Sequence, residues 1–276
     1  MPVRHELVGV QVPGRPRFRW RFGEPECPLR LAENPTGLGG APLANTGQSN
    51  ARQPGRTFRG QVRDYNPIKA IVRVGPVEPG EVALQLWDDW RESLGTGVDL
   101  AEWHVHSPRG GDRYQYVRLE KEMPDPDFAA LENVGEVTEE ANLASDFSYW
   151  IGKGVEKTFT PANFAGAKTI KNLGDVDSWA YYEVTGPGTF TLGVDGETVT
   201  LPALAAGETW HIDTDYEAPY VRNAAGVDKQ EALGVKAWFK PVPANATTTL
   251  TVSVTGSNAN TTALVKLPGY YTRAAA

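Results

Sequence analysis

Apolar and polar residues alternate with a period of two over most of this chain, which is the spacing of extended strands with one buried face. The segments RTFRGQVRD (56–64), PIKAIVRVGP (67–76), AEWHVH (101–106), RYQYVRLEKEM (113–123) and EEANLASDFSYWIGK (139–153) all read as strands, and strand signals dominate after residue 165. In TFTLGVDGETVTLP (189–202) the Asp195-Gly196 pair predicts a two-residue hairpin with Leu192 opposite Val199 and Phe190 opposite Leu201. TLTVSVT (249–255) and TALVKLP (262–268) predict a second hairpin, with Leu250 against Val265 and Val252 against Ala263. One stretch keeps a helical period. In PGEVALQLWDDWRESLG (79–95) Ala83, Trp87, Trp90 and Leu94 share a face and Gly95 suits the end, so both tryptophans should face a core. A very short helix is expected from an N-cap at Asp125. Between Asn34 and Arg56 the chain is dense in Gly, Pro, Asn and Ser, which reads as a long mobile loop of a kind that serves to reach a neighbouring subunit.

These elements give a mainly β protein of two domains: a β-rich domain with one helix over residues 1–152, and an antiparallel β-sandwich over 153–276. The boundary is expected near 152–166, where small residues and turns concentrate. The 276 residues suffice for two cores. No apolar run approaches a bilayer span, so no membrane insertion is expected, and the N-terminus lacks the apolar stretch of a secretory signal, which implies action where the chain is made.

Charge sharpens the picture. Residues 1–73 carry 12 Lys+Arg against 5 Asp+Glu, a balance of +7, and the remainder carry 15 against 29, a balance of -14. A basic arm on an acidic body suits nucleic acid or self-assembly through complementary surfaces. In RPRFRWRFG (15–23) arginines alternate with aromatics, giving a strand with one cationic and one aromatic face. Arg17, Phe18, Arg19, Trp20 and Arg21 are therefore the candidate interface residues, with an arginine-aromatic nucleic-acid surface as the alternative.

Candidate chemistry is sparse. Cys27 sits between prolines with no histidine nearby in sequence, and as the single cysteine it leaves no intramolecular disulfide or cysteine cage possible. In GETWHIDTD (207–215), His211, Asp213 and Asp215 fall at alternate positions, as metal ligands might, but an amphipathic strand with Trp210 and Ile212 on its other face accounts for the spacing. His104 and His106 read as strand-face histidines in the same way. No nucleophile elbow, Walker loop or dinucleotide fingerprint occurs, and the acidic pairs point apart, so no catalytic residue, cofactor or metal is assigned.

Residues 171–215 carry a resemblance. Asn172, Gly174 and Asp175, then Thr185 and Gly186, then Gly207 and Glu208, then Ile212, Asp213 and Thr214 follow a pattern similar to the C-terminal domain of distal tail proteins of long-tailed bacteriophages. The closing segments AWFKPVPANATTTLTVSVTG and ALVKLPGYYTRA are similar to that family's last strands, and the 79–95 helix with the DFSYWIGK strand resembles its ring-forming belt domain. The resemblance implies a belt over 1–152 that closes a homo-oligomeric ring of about six subunits around a tail channel. It implies a galectin-like sandwich over 153–276 that projects outward. The implied partners are the tail tube protein, the tip or adhesion proteins and the tape-measure protein. DNA would pass without specific binding, and the expected location is the virion tail tip, assembled in the host cytoplasm. The rival reading is a carbohydrate-binding module or adhesin, with Trp179 and Tyr181 as sugar contacts on one strand face. A glycan-cleaving enzyme would need a carboxylate pair that the sequence does not reveal.

Overall fold

A computed structural model describes residues 2–52 and 54–275. The chain divides into two compact units, Met1–Ile151 with Thr272–Ala276, and Gly152–Tyr271. The second is thus an insertion in the first.

The first unit contains β1 (Arg4–Val8), β2 (Arg19–Phe22), β3 (Leu29–Leu31), β4 (Leu43–Gln48), β5 (Thr57–Arg63) and β6 (Asn66–Val74). Then come α1 (Glu81–Leu94), β7 (Ala101–Ser107), β8 (Gly111–Leu119), α2 (Phe128–Asn133) and β9 (Val137–Ser145). Strands β8, β7, β1 and β2 are neighbours in one sheet, and β3, β6 and β9 continue from β8. Alternation drives the inward faces together. Leu7 lies opposite Trp20 on one side and Trp103 on the other, and all three are buried. Phe22 packs between Trp90 and Trp103.

Helix α1 ends at Gly95 as its spacing predicts, and it is bound to β9 by one carboxylate. Glu139, 2% exposed, accepts from Trp87 Nε1 at 2.7 Å, Trp90 Nε1 at 3.1 Å and the Arg91 guanidinium. Trp90 is fully buried, whereas Trp87 lies at the margin with Arg91 stacked 4.8 Å from its ring centre. Helix α2 is capped by Asp127, whose side chain accepts from Ala130 N at 3.0 Å, and not by Asp125 as expected. The chain returns after residue 271, where Ala274 N donates to Leu38 O and Arg113 Nη1 donates to Arg273 O.

The region between Asn34 and Arg56, expected to be one loop, contains strand β4, which pairs with the expected strand β5. β4 and β5 form a separate two-stranded ribbon with a bulge at Thr46/Gly47. The segment LANTGQ escapes a pattern search because it has no core face.

The second unit contains β10 (Trp150–Phe159), β11 (Lys168–Lys171), β12 (Tyr181–Thr185), β13 (Thr189–Val194), β14 (Val199–Thr200), β15 (Thr209–Asp213), β16 (Tyr220–Asn223), a 3-10 turn (Gln230–Leu233), β17 (Thr247–Thr255) and β18 (Thr262–Tyr271). One sheet runs β16-β15-β12-β18-β10 and the other β11-β17-β13-β14, and they face each other across a core that includes Tyr182, Phe190, Trp210, Ile212, Val252 and Val265. This is an antiparallel sandwich. The stretch from 152, expected to be a turn-rich boundary, is occupied to residue 159 by β10, and residues 146–149 separate it from β9. The Asp195-Gly196 hairpin forms in the predicted register, Leu192 against Val199, with both turn residues at positive φ. The second predicted hairpin does not form. β17 pairs with β11 and β13, and β18 pairs with β12, so the two strands lie in opposite sheets. Matching apolar faces served sheet-to-sheet packing here, a use that alternation alone does not separate from edge pairing.

The residues behind the resemblance build turns. Buried Asn172 accepts from Gly174 N at 2.8 Å and donates to Val176 O and Val242 O. A Cβ on Gly174 would stand 2.3 Å from Tyr270 O, so only glycine fits. Glu208 accepts from Ala205 N and from Trp210 Nε1, and Thr214 Oγ1 donates to Ala180 O.

Candidate functional site

The sequence-predicted interface residues lie on and just before β2. Trp20 and Phe22 turn inward, and Trp20 Nε1 donates to Ser93 Oγ at 2.9 Å. Phe18 is half-buried and stacks on Trp20 at 5.4 Å. The arginines turn outward, but each meets a carboxylate of its own unit. Arg17 Nη1 reaches Glu102 at 2.7 Å and its Nε donates to Gly9 O at 2.6 Å. Arg19 reaches Glu6 at 2.8 Å, while Arg21 lies 3.6 Å from Glu6 and 3.8 Å from Glu24. The side chains of Arg19 and Arg21 are more than half exposed, so they remain able to meet another surface. A stripe neutralised in this way is a poor electrostatic footprint for nucleic acid. Sequence reading missed Glu6 as the hub of these pairs. Its signal was the position of Glu6 on the same period-two face of RHELV as Arg4.

Histidines His104 and His106 share the outward face of β7. His104 Nε2 lies 3.0 Å from Glu102, and His106 Nδ1 lies 2.9 Å from Asp112. The ring of His104 stacks on Tyr114. In the Gly152–Tyr271 unit, His211 Nδ1 stands 2.7 Å from the Tyr181 hydroxyl. Asp213 and Asp215 are turned into local hydrogen bonds, accepting from Asp215 N and Glu217 N. Burial raises the Asp213 pKa from its ordinary value. Among the described residues, no three His, Cys, Asp or Glu side chains are grouped to hold a metal ion. Burial also pushes the Cys27 thiol up, away from a reactive thiolate.

The most exposed feature of the first unit is the β4–β5 ribbon. Ala44 pairs with Val62 and Gly47 with Phe58 on either side of the Thr46/Gly47 bulge, and Gln61 donates to Asn45 and Arg59 to Gln48. Phe58 and Val62 are 62% and 61% exposed. A two-stranded ribbon without a layer beneath it is marginal in water, so this geometry calls for a surface to cover it.

Of the sugar-contact candidates, Tyr181 is half-buried on the outer face of its sheet, with His211 stacked beside it and Lys266 5.9 Å from its ring centre. Trp179 is half-buried and stacks on the exposed Tyr216 at 6.4 Å.

No protein-family model matches the chain, and no curated protein matches it. Solved structures do. The SPP1 Dit protein, described as a paradigm of hub adsorption apparatus in Gram-positive-infecting phages, aligns with 96% of this chain and 98% of its own at 12% identity, with a TM-score of 0.66. A chain of the phage P2 baseplate in its activated conformation with Ca aligns with 98% of both chains at 9% identity and a TM-score of 0.60. The same baseplate with Sr aligns with 97% of this chain and 98% of its own at 9% identity and a TM-score of 0.59. Over nearly its whole length, this chain has the mainly β fold of phage Dit hub and baseplate proteins, the fold that its sequence resembles.

Proposed function

We propose that this protein is a structural subunit of a phage tail tip, a distal tail protein whose first unit closes a homo-oligomeric ring. The observation that carries the reading is the β4–β5 ribbon, an extended arm that exposes Phe58 and Val62 and has no core of its own. Such an arm fits a head-to-tail contact in which each subunit covers the next, the kind of heterologous interface that closes as a ring. The paired arginines Arg19 and Arg21 add a charged rim beside the aromatic strand. The ring would join the tail tube to the tip and adhesion proteins, next to the tape-measure protein, and act by contact without turnover. Carboxylates neutralising the arginine stripe agree with DNA passing the channel unretained. Assembly in the host cytoplasm, at what becomes the virion tail tip, completes the reading.

Mass photometry and negative-stain imaging test it, on the protein alone and mixed with tail tube protein. Rings of one stoichiometry are expected for the wild type, and Phe58→Asp with Val62→Asp should leave monomers that keep a native circular dichroism spectrum. Rings that form equally well with both substitutions would remove the ribbon from the interface.

A further inference from the structure

The charges of the first unit are unevenly matched. Arg4, Arg17, Arg19, Arg21, Arg73 and Arg91 each meet a carboxylate of that unit. The β4–β5 ribbon differs. From Ala41 to Arg63 the chain carries Arg52, Arg56, Arg59 and Arg63 and no acidic residue. Arg56 donates to Asn45 O at 3.4 Å, Arg59 donates to Gln48 Oε1 at 2.8 Å, and Arg63 lies 5.7 Å from the Tyr149 ring centre. Among the described residues none of the four holds a carboxylate. Four cations on a thin ribbon repel one another, so an anionic surface laid against the ribbon would stabilise it.

The complementary surface is the ridge formed by α1 and α2. Gly80 N donates to Leu131 O at 3.1 Å, Phe128 packs edge-on against Trp87, and Arg91 Nη2 donates to Pro124 O, which lays α2 along the Gly80, Trp87 and Arg91 side of α1. Glu81 and Asp88, seven residues apart, share the adjoining stripe of α1, and Asp125, Asp127 and Glu132 lie just before and on α2. All five are exposed, and among the described residues none has a cationic partner. Arg91, the one basic side chain of α1, is committed to Glu139. Apolar surface accompanies the charge here as it does on the ribbon, since Phe128 and Val134 are 51% and 65% exposed. The lengths agree as well: α1, with 14 residues, spans about 21 Å, and β5, with 7, spans about 23 Å.

We propose that the ribbon of one subunit lies along the α1–α2 ridge of a second copy of this chain, its arginines facing the ridge carboxylates and the exposed apolar residues of the two surfaces meeting. The inference rests on the reading of the ribbon as the arm between subunits, and it names the surface that receives that arm. Every chain carries both surfaces, so each subunit gives one contact and receives one, as a heterologous interface requires. Single exposed ion pairs are weak, and the arrangement works through several charges that together fix register and partner. Nucleic acid would also attract four arginines, but it would leave the ridge unmatched and its apolar residues uncovered.

Charge reversal in the full chain tests this, read by mass photometry and sedimentation with and without tail tube protein. Arg56→Glu with Arg59→Glu should weaken self-association by about tenfold or more, and Glu81→Lys with Asp88→Lys should do the same, because either pair turns attraction into repulsion. All four positions are exposed, so both variants should keep a native circular dichroism spectrum. Mixing the two variants should restore assembly. The acidic ribbon of one then meets the basic ridge of the other, the remaining ribbon and ridge are wild type, and the two chains must alternate. A ridge variant that assembles as the wild type does, or a mixture of folded variants that stays dissociated, would overturn the pairing. So would a ribbon variant that assembles normally while losing affinity for a single-stranded oligonucleotide. A wild type that never self-associates would remove the ring reading together with this contact, whereas rings that ignore the ridge reversals would remove this contact alone.

Discussion

Replacing Glu139 with alanine should unlatch α1 from β9. In the folded unit this carboxylate receives hydrogen bonds from Trp87, Trp90 and Arg91. Its loss leaves the buried Trp90 N–H unsatisfied, at about 1–3 kcal/mol. It also strips Arg91 of its ion partner, and breaking a buried pair from one side costs about 3–5 kcal/mol. The two terms overlap because they describe one network. Arg91 keeps Pro124 O at 2.7 Å and has a 21% exposed side chain, which places the total near the lower end. About 4 kcal/mol is expected, and for a unit of this size that corresponds to a fall in Tm of about 12 °C. Urea denaturation followed by tryptophan fluorescence would measure the loss, and hydrogen exchange should place it in the amides of α1. The double variant Arg91→Met with Glu139→Leu should recover more than half of the loss, because removing both charges removes the desolvation cost along with the attraction. A loss below about 1 kcal/mol for Glu139→Ala, or a double variant no better than the single one, would refute the view that this carboxylate holds the helix.

Asn172→Ala removes three hydrogen bonds from a fully buried turn and should cost about 2–3 kcal/mol, read from the urea midpoint. Gly174→Ala, which drives a methyl group towards Tyr270 O, should cost about 1–3 kcal/mol by forcing the backbone apart, and a neutral result would mean that the turn is softer than its geometry. Burial pushes the Glu102 carboxyl up, but hydrogen bonds from Arg17 and His104 outweigh it, and the net pKa is lowered. A lowered folded-state pKa stabilises above the unfolded value of about 4.3 and is lost as pH falls through the folded value. Glu102→Gln should therefore flatten the acid limb of the stability profile below about pH 5. An acid limb identical to that of the wild type would show that the pair with Arg17 contributes nothing.

Legibility followed the buried face. The helical spacing of Ala83, Trp90 and Leu94 and the Asp195-Gly196 turn were readable because each places apolar side chains against a single core. β4 was not, because none of its residues is buried and, among the described residues, its strand pairing is with β5. β17 and β18 were recognised as strands but assigned to the wrong neighbours, since Leu250 and Val265 obey the same alternation whether they share a sheet or face across the core. Asp125 and Asp127 flank Pro126, and backbone geometry alone selects the second as the cap. The arginine stripe was visible, whereas its neutralisation depended on Glu6 and Glu102, which are distant in sequence and close only once the strands pair.

The insertion of residues 152–271 within the first unit sets an order of events during synthesis. The segment that donates Ala274 N to Leu38 O leaves the ribosome after residues 152–271, so the first unit cannot be completed until the sandwich has already been made. Within the sandwich, the opening and closing strands β10 and β18 are neighbours, with Lys153 and Gly269 in close backbone approach. An interior stretch whose two ends emerge side by side can be exchanged for another of similar footprint, which would let a lineage vary this module and keep the unit into which it is inserted.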